Sequence, residues 1–360
     1  MPFAAPGELA SVRIRRLGRR IGEGAIEAIL EASPDRREPA CAVFGVCGGC
    51  QLQHLAREAQ LRAKVGVVLD CLRRIGGIAW TREIPIEAGA ELGWRSRTEL
   101  HVDRATSRVG YFRPRSRDVV AIDDCPILVP ELRKEVRRLA AAPPAAPGSG
   151  TIALAAGDAG AIARGEARAR QRVLGIDYAF RADGFWQGNR GLLETLVGRA
   201  CGTDHGRVAV DLYAGAGLFA LQLARRHGTV HAVEANAASA AMLAENAGAN
   251  AIANVRVAGT EVESWLEGPG APSRPDLVLL DPPRSGAGPA VVAGIASLEP
   301  ARIAYVSCDP ATLARDLRDL LGRGFEIESI AALDLFPQSY HVEVVARLVP
   351  GTPGASPLSP

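Results

Sequence analysis

The chain has 360 residues, a hydrophobic fraction of 48% and a formal net charge of +2. That length allows two or three globular domains, and the near-neutral balance excludes a protein whose overall charge announces a polyanion partner. No run of about 18 apolar residues occurs, and Met1 to Arg16 lacks the apolar core of a secretory signal, so the reading is a cytoplasmic protein with no membrane partner.

Residues 1–40 are short and mixed. Ser11 to Arg16 alternates polar and apolar as a strand does, Gly24 to Leu30 reads as a second strand, and Ser33-Pro34-Asp35 breaks the pattern. Cys41-x5-Cys47-Gly-Gly-Cys50 follows as a loop. Seven cysteines in a cytosolic chain point to metal ligands or nucleophiles before disulfides. Cys41, Cys47, Cys50 and Cys125 form a candidate metal set, while Cys71 and Cys201 read as small buried hydrophobes. Helical spacing runs from Gln51 to Arg74 and stops at Gly76-Gly77.

Residues 95–122 read as short antiparallel strands. Seven arginines (95, 97, 104, 108, 113, 115, 117) stand there against Glu99 and Asp103, with Tyr111 and Phe112 among them. Cations interleaved with aromatics suit RNA through phosphate contact and base stacking; a solvated strand face is the plainer alternative. Ala141 to Gly150 reads as an exposed loop, and the Pro/Gly/Ser-rich tail after Leu348 as disordered.

From about residue 181 strands and helices alternate, the pattern of a doubly wound α/β domain. Strands are expected at Val208–Leu212, Thr229–Glu234, Val255–Ala258, Leu277–Asp281 and Ile303–Ser307. Two closing runs, Phe325–Leu335 and His341–Leu348, have no helix between them. They should pair as a hairpin, leaving a mostly parallel sheet with an antiparallel strand near its end.

In such sheets ligands bind beyond the carboxyl ends of the strands. Asp211-Leu-Tyr-Ala-Gly-Ala-Gly217 follows the first strand and opens a helix, and Glu234 closes the second strand, placed for ribose hydroxyls. The spacing Asp-x3-Gly-x-Gly is not the dinucleotide Gly-x-Gly-x-x-Gly. An acid there would repel a pyrophosphate and tolerate a sulfonium such as that of S-adenosylmethionine. Asp281-Pro-Pro-Arg-Ser-Gly286 closes the fourth strand, its prolines stopping the ladder and stiffening the loop.

Tyr305-Val-Ser-Cys-Asp-Pro310 ends the fifth strand with Cys308, a candidate nucleophile. Asp309 as N-cap and Pro310 at the first helical position mark a helix start whose positive end favours a thiolate. Glu343 lies in an apolar strand, where burial raises a carboxylate's pKa and makes it a better base. His341, two residues earlier, shares its face on a regular strand.

These stretches, with Asp-Asp-Cys125-Pro-Ile-Leu, Phe185-Trp-Gln187-Gly-Asn and Phe336-Pro-x3-His-Val-Glu343, resemble the RNA uracil-C5 methyltransferases in order, over roughly residues 10–348. The resemblance implies a class I (Rossmann-like) methyltransferase domain over 181–350 and a central β-rich iron-sulfur, RNA-binding domain over 41–180. It also implies a truncated TRAM/OB-like segment over 1–40, with a disordered tail over 351–360. Cys308 is implied to attack uracil C6, and C5 to take the methyl of S-adenosylmethionine. Glu343 then removes the C5 proton. Gln187, Tyr213, Glu234 and Asp281 are implied to hold the cofactor. Cys41, Cys47, Cys50 and Cys125 are implied to bind a [4Fe-4S] cluster, four-cysteine zinc being the structural alternative.

By the same resemblance, members carrying the cluster are typically ribosomal-RNA enzymes, so 23S rRNA is favoured over tRNA; the enzyme is separately read as a monomer. Asp309 stands where the family has asparagine, Ala214 where cysteine is common and Leu218 where asparagine is common. A carboxylate at 309 is expected to oppose thiolate formation. Competing readings are a tRNA enzyme of the same chemistry, a cytosine-C5 enzyme, and a non-catalytic RNA-binding relict. The cytosine enzyme would want cysteine where Pro282-Pro283-Arg284 stands.

Overall fold

A computed structural model describes residues 2–19, 21–103, 105–142 and 150–351. Arg104, most of the loop expected before Gly150 and the tail from residue 352 lie outside the described residues. At the amino end β1 (Leu9–Leu17) and β2 (Gly22–Glu31) pair antiparallel as a two-stranded sheet of their own, matching both expected strands. Leu17 and Leu30 remain exposed on it.

Helix α1 (Arg57–Cys71) starts six residues later than its apolar spacing predicts. The backbone N–H groups of Gln51 and Leu52 both donate to Gln338 O, at 2.8 and 2.9 Å, which holds this stretch out of the helix. The other end is where Gly76-Gly77 puts it: one π turn leads to Gly77, whose φ of +64° supplies the left-handed cap that glycine accepts without strain.

Next come β3 (Ile86–Glu87), β4 (Arg97–Val102), β5 (Val109–Phe112), β6 (Val119–Ala121), α2 (Pro130–Ala141), β7 (Thr151–Ala156) and β8 (Ile162–Arg164). Strands β4 to β8 form an antiparallel sheet in the order β6-β5-β4-β7-β8. Period-two alternation makes it one-sided: Thr98, Leu100 and Val102 are buried while Glu99 is exposed. Leu132, Val136 and Leu139 of α2 cover the buried face. The hairpin of β9 (Arg168–Val173) and β10 (Ile176–Arg181) alternates in the same way. Its Tyr178 and Phe180 join the core beneath the larger sheet, where the Tyr178 hydroxyl donates to Leu218 O at 3.0 Å.

The remainder follows the expected alternation: α3 (Leu193–Cys201), β11 (Gly206–Leu212), α4 (Leu218–Ala224), β12 (His227–Val233), α5 (Ala237–Ala249), β13 (Val255–Ala258), α6 (Val262–Glu267), β14 (Leu277–Leu280), α7 (Gly288–Ser297), β15 (Ile303–Ser307), α8 (Pro310–Leu321), β16 (Phe325–Leu333) and β17 (Glu343–Pro350). The sheet order is β13-β12-β11-β14-β15-β17-β16-β3. Strands β11 to β15 run parallel, and β17 is antiparallel to both neighbours, as the closing hairpin requires. Leu277 to Leu280 are all buried, as expected of a parallel strand covered on both faces. The chain runs out through β12 and β13, then returns to the other side of β11 at β14. That reversal is the crevice where ligands bind in open α/β sheets.

The ends of the last strand differ from expectation. It begins at Glu343, so His341 lies in the preceding loop and shares no strand face with Glu343; it continues through Val349 and Pro350, which therefore belong to the sheet and not to a tail. Lys64, on α1, is fully buried and pairs with Asp334, which Arg57 also meets, while its ammonium donates to Phe336 O at 3.0 Å. Breaking a buried pair of this kind typically costs about 3–5 kcal/mol, so α1 is a firm anchor for the loop between β16 and β17.

Candidate active site

Register alone assembles the reacting groups. Strand β15 lies between β14 and β17. Ser307 pairs with Val344 and Tyr305 with Leu280, so Cys308 and Glu343 stand one step past one pair and Asp281 one step past the other. The thiol thus has a carboxyl group on each side. Pro282 and Pro283 stop β14, and Asp309 caps α8, accepting from Ala311 N at 2.9 Å and Thr312 N at 3.2 Å. Asp309 is thus the N-cap expected of it, and the groups that raise the Cys308 thiol are Glu343 and Asp281, where the carboxylate at 309 was expected to.

The electrostatics are those of a crowded acid site. Burial, and then Asp281, hold the Glu343 carboxyl well above its usual range. Burial pushes Asp281 up to about 7, against the pull of Gln187, whose Nε2 lies 3.5 Å from Asp281 Oδ2. The Cys308 thiol is pushed up to about 11 by burial, then by Glu343 and Asp281, while Arg284 opposes them. Asp211, fully buried at the end of β11, is raised by burial first and by Asp281 and Glu234 after it. A cationic ligand would relieve all of these acids at once, and an anionic one would not.

The cofactor-type residues converge on the same crevice from three loops. Tyr213 takes φ +63°, a sparsely populated conformation for a bulky residue, in the turn after β11. Gly215 N donates to Glu234 Oε2 at 2.8 Å and Asn236 N to Oε1 at 2.7 Å; each oxygen keeps a lone pair for a ligand. At Gly217, φ +95°, any Cβ would stand 2.9 Å from Leu243 Cγ, so the turn into α4 packs this closely on α5 only with glycine there. Gln187 is aimed by its neighbour: Trp186 is buried, stacks on Phe180 at 4.8 Å and donates from Nε1 to Gln171 Oε1 at 2.9 Å.

The second cysteine set is also brought together. Cys41, Cys47, Cys50 and Cys125 line one small cavity, of about 20 Å³, beside Arg95 and Tyr111. Burial above all pushes Cys50 up to about 12, against Gln53, and Cys125 to about 11, against Arg95, with neighbouring thiols of the set adding a smaller part to each. Among the described residues, no group of three or more His, Cys, Asp or Glu side chains is gathered as a single metal ion requires. Cys201 is buried in the core as expected, and Cys71 half-buried.

The basic stretch divides. Arg95 stacks over Tyr111, and Arg97 donates to Ala182 O at 3.1 Å; both are structural. Arg108, Arg113, Arg115 and Arg117 are exposed, and Phe112 stacks on His101 with ring centres 3.6 Å apart. Two further residues, Arg284 and His341, stand at the nucleophile. Arg284 meets Cys308, and its Nη2 lies 3.1 Å from His341 Nε2. Spacing carries no sign of that contact, because 57 residues separate the pair.

Residues 274–349 match the family described as tRNA (Uracil-5-)-methyltransferase, and 173–295 match the methyltransferase small domain. The chain is 34% identical to the 23S rRNA (uracil(1939)-C(5))-methyltransferase RlmD of Pseudomonas putida, over 97% of this chain and 88% of that protein. It is 36% identical to an uncharacterized RNA methyltransferase of Streptomyces avermitilis, over 98% and 92%. The fold matches the crystal structure of Pyrococcus abyssi tRNA (uracil-54, C5)-methyltransferase in complex with S-adenosyl-L-homocysteine, with a TM-score of 0.75 and 24% identity, over 97% of this chain and 95% of that one.

Proposed function

The chain belongs to the RNA (uracil-C5)-methyltransferases, and we propose that it transfers the methyl group of S-adenosylmethionine to uracil C5 in 23S rRNA through a covalent bond to Cys308. One observation carries the mechanism: a thiol stands between two carboxyl groups at the ends of β14, β15 and β17, beside the glycine turn after β11.

The thiolate adds to uracil C6. The S–C6 bond forms and the C5–C6 π electrons move toward C5 and O4, making C5 a nucleophile. C5 takes the methyl carbon as its bond to the sulfonium breaks, leaving neutral S-adenosylhomocysteine. Glu343 removes the C5 proton, the double bond re-forms, and the thiolate departs. A carboxyl held well above its usual range by burial is a competent acceptor for that carbon-bound proton. Gln187, Tyr213, Glu234 and Asp281 hold the cofactor, with Glu234 toward the ribose and Asp281 toward the sulfonium side.

Cys41, Cys47, Cys50 and Cys125 hold a [4Fe-4S] cluster in this reading. Their shared cavity supports it. Zinc draws its sulfurs to about 2.3 Å from one ion. A four-iron cluster uses four separate thiolate positions and suits thiols spread around a space. The cluster is structural, pinning the basic strands of 95–117 to the rest of the central iron-sulfur domain (41–180), beside the methyltransferase domain (181–350). The exposed arginines 108, 113, 115 and 117, with the β1–β2 ribbon as the remaining half of a TRAM-like segment, face RNA. The enzyme acts as a monomer.

Labelled S-adenosylmethionine incubated with ribosomal and transfer RNA distinguishes the targets. Label recovered as 5-methyluridine in ribosomal RNA supports the assignment. Recovery only in tRNA moves it to the tRNA branch, and no transfer to either RNA overturns it in favour of a binding relict.

A further inference from the structure

Cys308 faces Glu343 from β17 and Asp281 from the end of β14, both acting against its ionisation. The helix behind it does little to offset them. The first free N–H groups of α8, Ala311 and Thr312, are already taken by the Asp309 carboxylate. Asp309 N is taken by Ser307 Oγ at 3.2 Å. Among the described residues, the positive group that favours ionisation of the sulfur is the guanidinium of Arg284.

That guanidinium sits on a fixed backbone. Thr312 Oγ1 donates to Arg284 O at 3.2 Å and Arg315 Nη2 to Ser285 O at 2.9 Å, while Ala287 N donates to Asp316 Oδ2 at 2.9 Å. Gly286 takes φ +76°, and a Cβ there would stand 2.6 Å from both Arg315 and Asp316. The loop is therefore strapped to α8, the helix that begins two residues after Cys308. Its side chain is steadied from the other direction by His341, whose Nε2 lies 3.1 Å from Arg284 Nη2. An arginine has only donors, so Nε2 must be the acceptor and the ring must be neutral, with its proton on Nδ1. His341 is itself seated by Phe336, at 5.8 Å edge-on, and by its own N–H to Ser339 Oγ at 3.4 Å.

We infer that Arg284, oriented by a neutral His341, is the cationic partner of the Cys308 thiolate and the group that makes this sulfur a usable nucleophile. In this reading Arg284 pairs directly with the reacting sulfur and is a catalytic residue; His341 acts through it and is a positioning residue. The inference deepens the covalent mechanism proposed above and rests on Cys308 as its nucleophile. Burial, Arg284 and Lys64 hold the imidazole down at about 4, with only Asp309 opposing, so the neutral form persists through the working range of pH.

The test is the rate at which iodoacetamide alkylates Cys308 in the full chain between pH 7 and 10.5, with no RNA present. It is read on the Cys308 peptide by mass spectrometry so that the other cysteines do not contribute. As the thiol gives its proton to water the rate rises. Arg284→Gln is expected to move the profile up by about one pH unit and slow alkylation roughly tenfold at pH 8. Arg284→Lys, which keeps a cation, shifts it less. His341→Ala shifts it in the same direction, and His341→Gln, which restores an acceptor, recovers most of the loss. An unchanged profile in Arg284→Gln, or equal shifts for the lysine and glutamine variants, overturns the role of the charge. A His341→Ala profile identical to that of the unaltered enzyme overturns the positioning role. Because neither RNA nor turnover enters, these failures are distinct from a failure of the covalent mechanism itself.

Discussion

Cys308 and Cys125 are both thiols that burial pushes up to about 11, yet they keep different company. Around Cys308 stand two raised carboxyl groups and a guanidinium, contributed by three adjacent strand ends and one strapped loop. Around Cys125 stand Arg95, which lowers it, and the thiols Cys41 and Cys47, which raise it by less, with no carboxyl group among them. A lone sulfur among acid–base groups can be ionised and released again within one reaction. Sulfurs that repel one another as thiolates need a cation shared among them, which a metal centre supplies. The two sites meet through one piece of backbone: Gln51 and Leu52, just past Cys50, hold Gln338 O, and the loop from Asp334 to His341 leads directly into Glu343.

The contrast can be broken at either site. Glu343→Gln removes the base but leaves the nucleophile. Its turnover is expected to fall by about 10²–10⁴-fold, with methylated RNA accumulating on Cys308 as a denaturation-resistant complex. Rapid turnover in this variant argues against Glu343 as the base. At the other site, protein purified without oxygen is expected to be brown and to contain iron and sulfide, and Cys50→Ser to lose both together with thermal stability. A colourless, zinc-loaded preparation contradicts the cluster.

A smaller effect separates the acids from the thiols. Asp211 keeps its proton to higher pH in the folded chain than in the unfolded one. Its contribution to stability is therefore full below the ordinary carboxyl range and is lost as pH rises through the folded value. Asp211→Asn cannot ionise, so it should match the unaltered protein near pH 4 and exceed it at pH 8. A Tm gain of about 2–4 °C is what 1 kcal/mol produces in a domain of this size. Equal Tm values at both pH extremes would show that Asp211 is not a strained acid.

Much of the catalytic end was legible because strand ends are local. Val255–Ala258 and Ile303–Ser307 form where apolar runs put them, and Cys308 and Asp281 follow their strands by chain order alone. The antiparallel hairpin was equally readable from the missing helix between β16 and β17. What escaped is contact between distant segments. The start of α1 is displaced by hydrogen bonds to Gln338, 287 residues from Gln51. His341 leaves the strand because the loop held by Lys64 and Gln338 extends to residue 342. Arg95 and Arg97 were read as RNA ligands, but they are committed to Tyr111 and Ala182 inside the fold.

Covalent trapping tests the central claim most directly. RNA carrying 5-fluorouridine at the target has no removable proton at C5, so addition and methylation should proceed and elimination should stall. The account predicts a stable protein–RNA complex whose crosslinked peptide contains Cys308, and no complex with Cys308→Ala. A complex that persists in that variant, or a crosslink on any other residue, would contradict it.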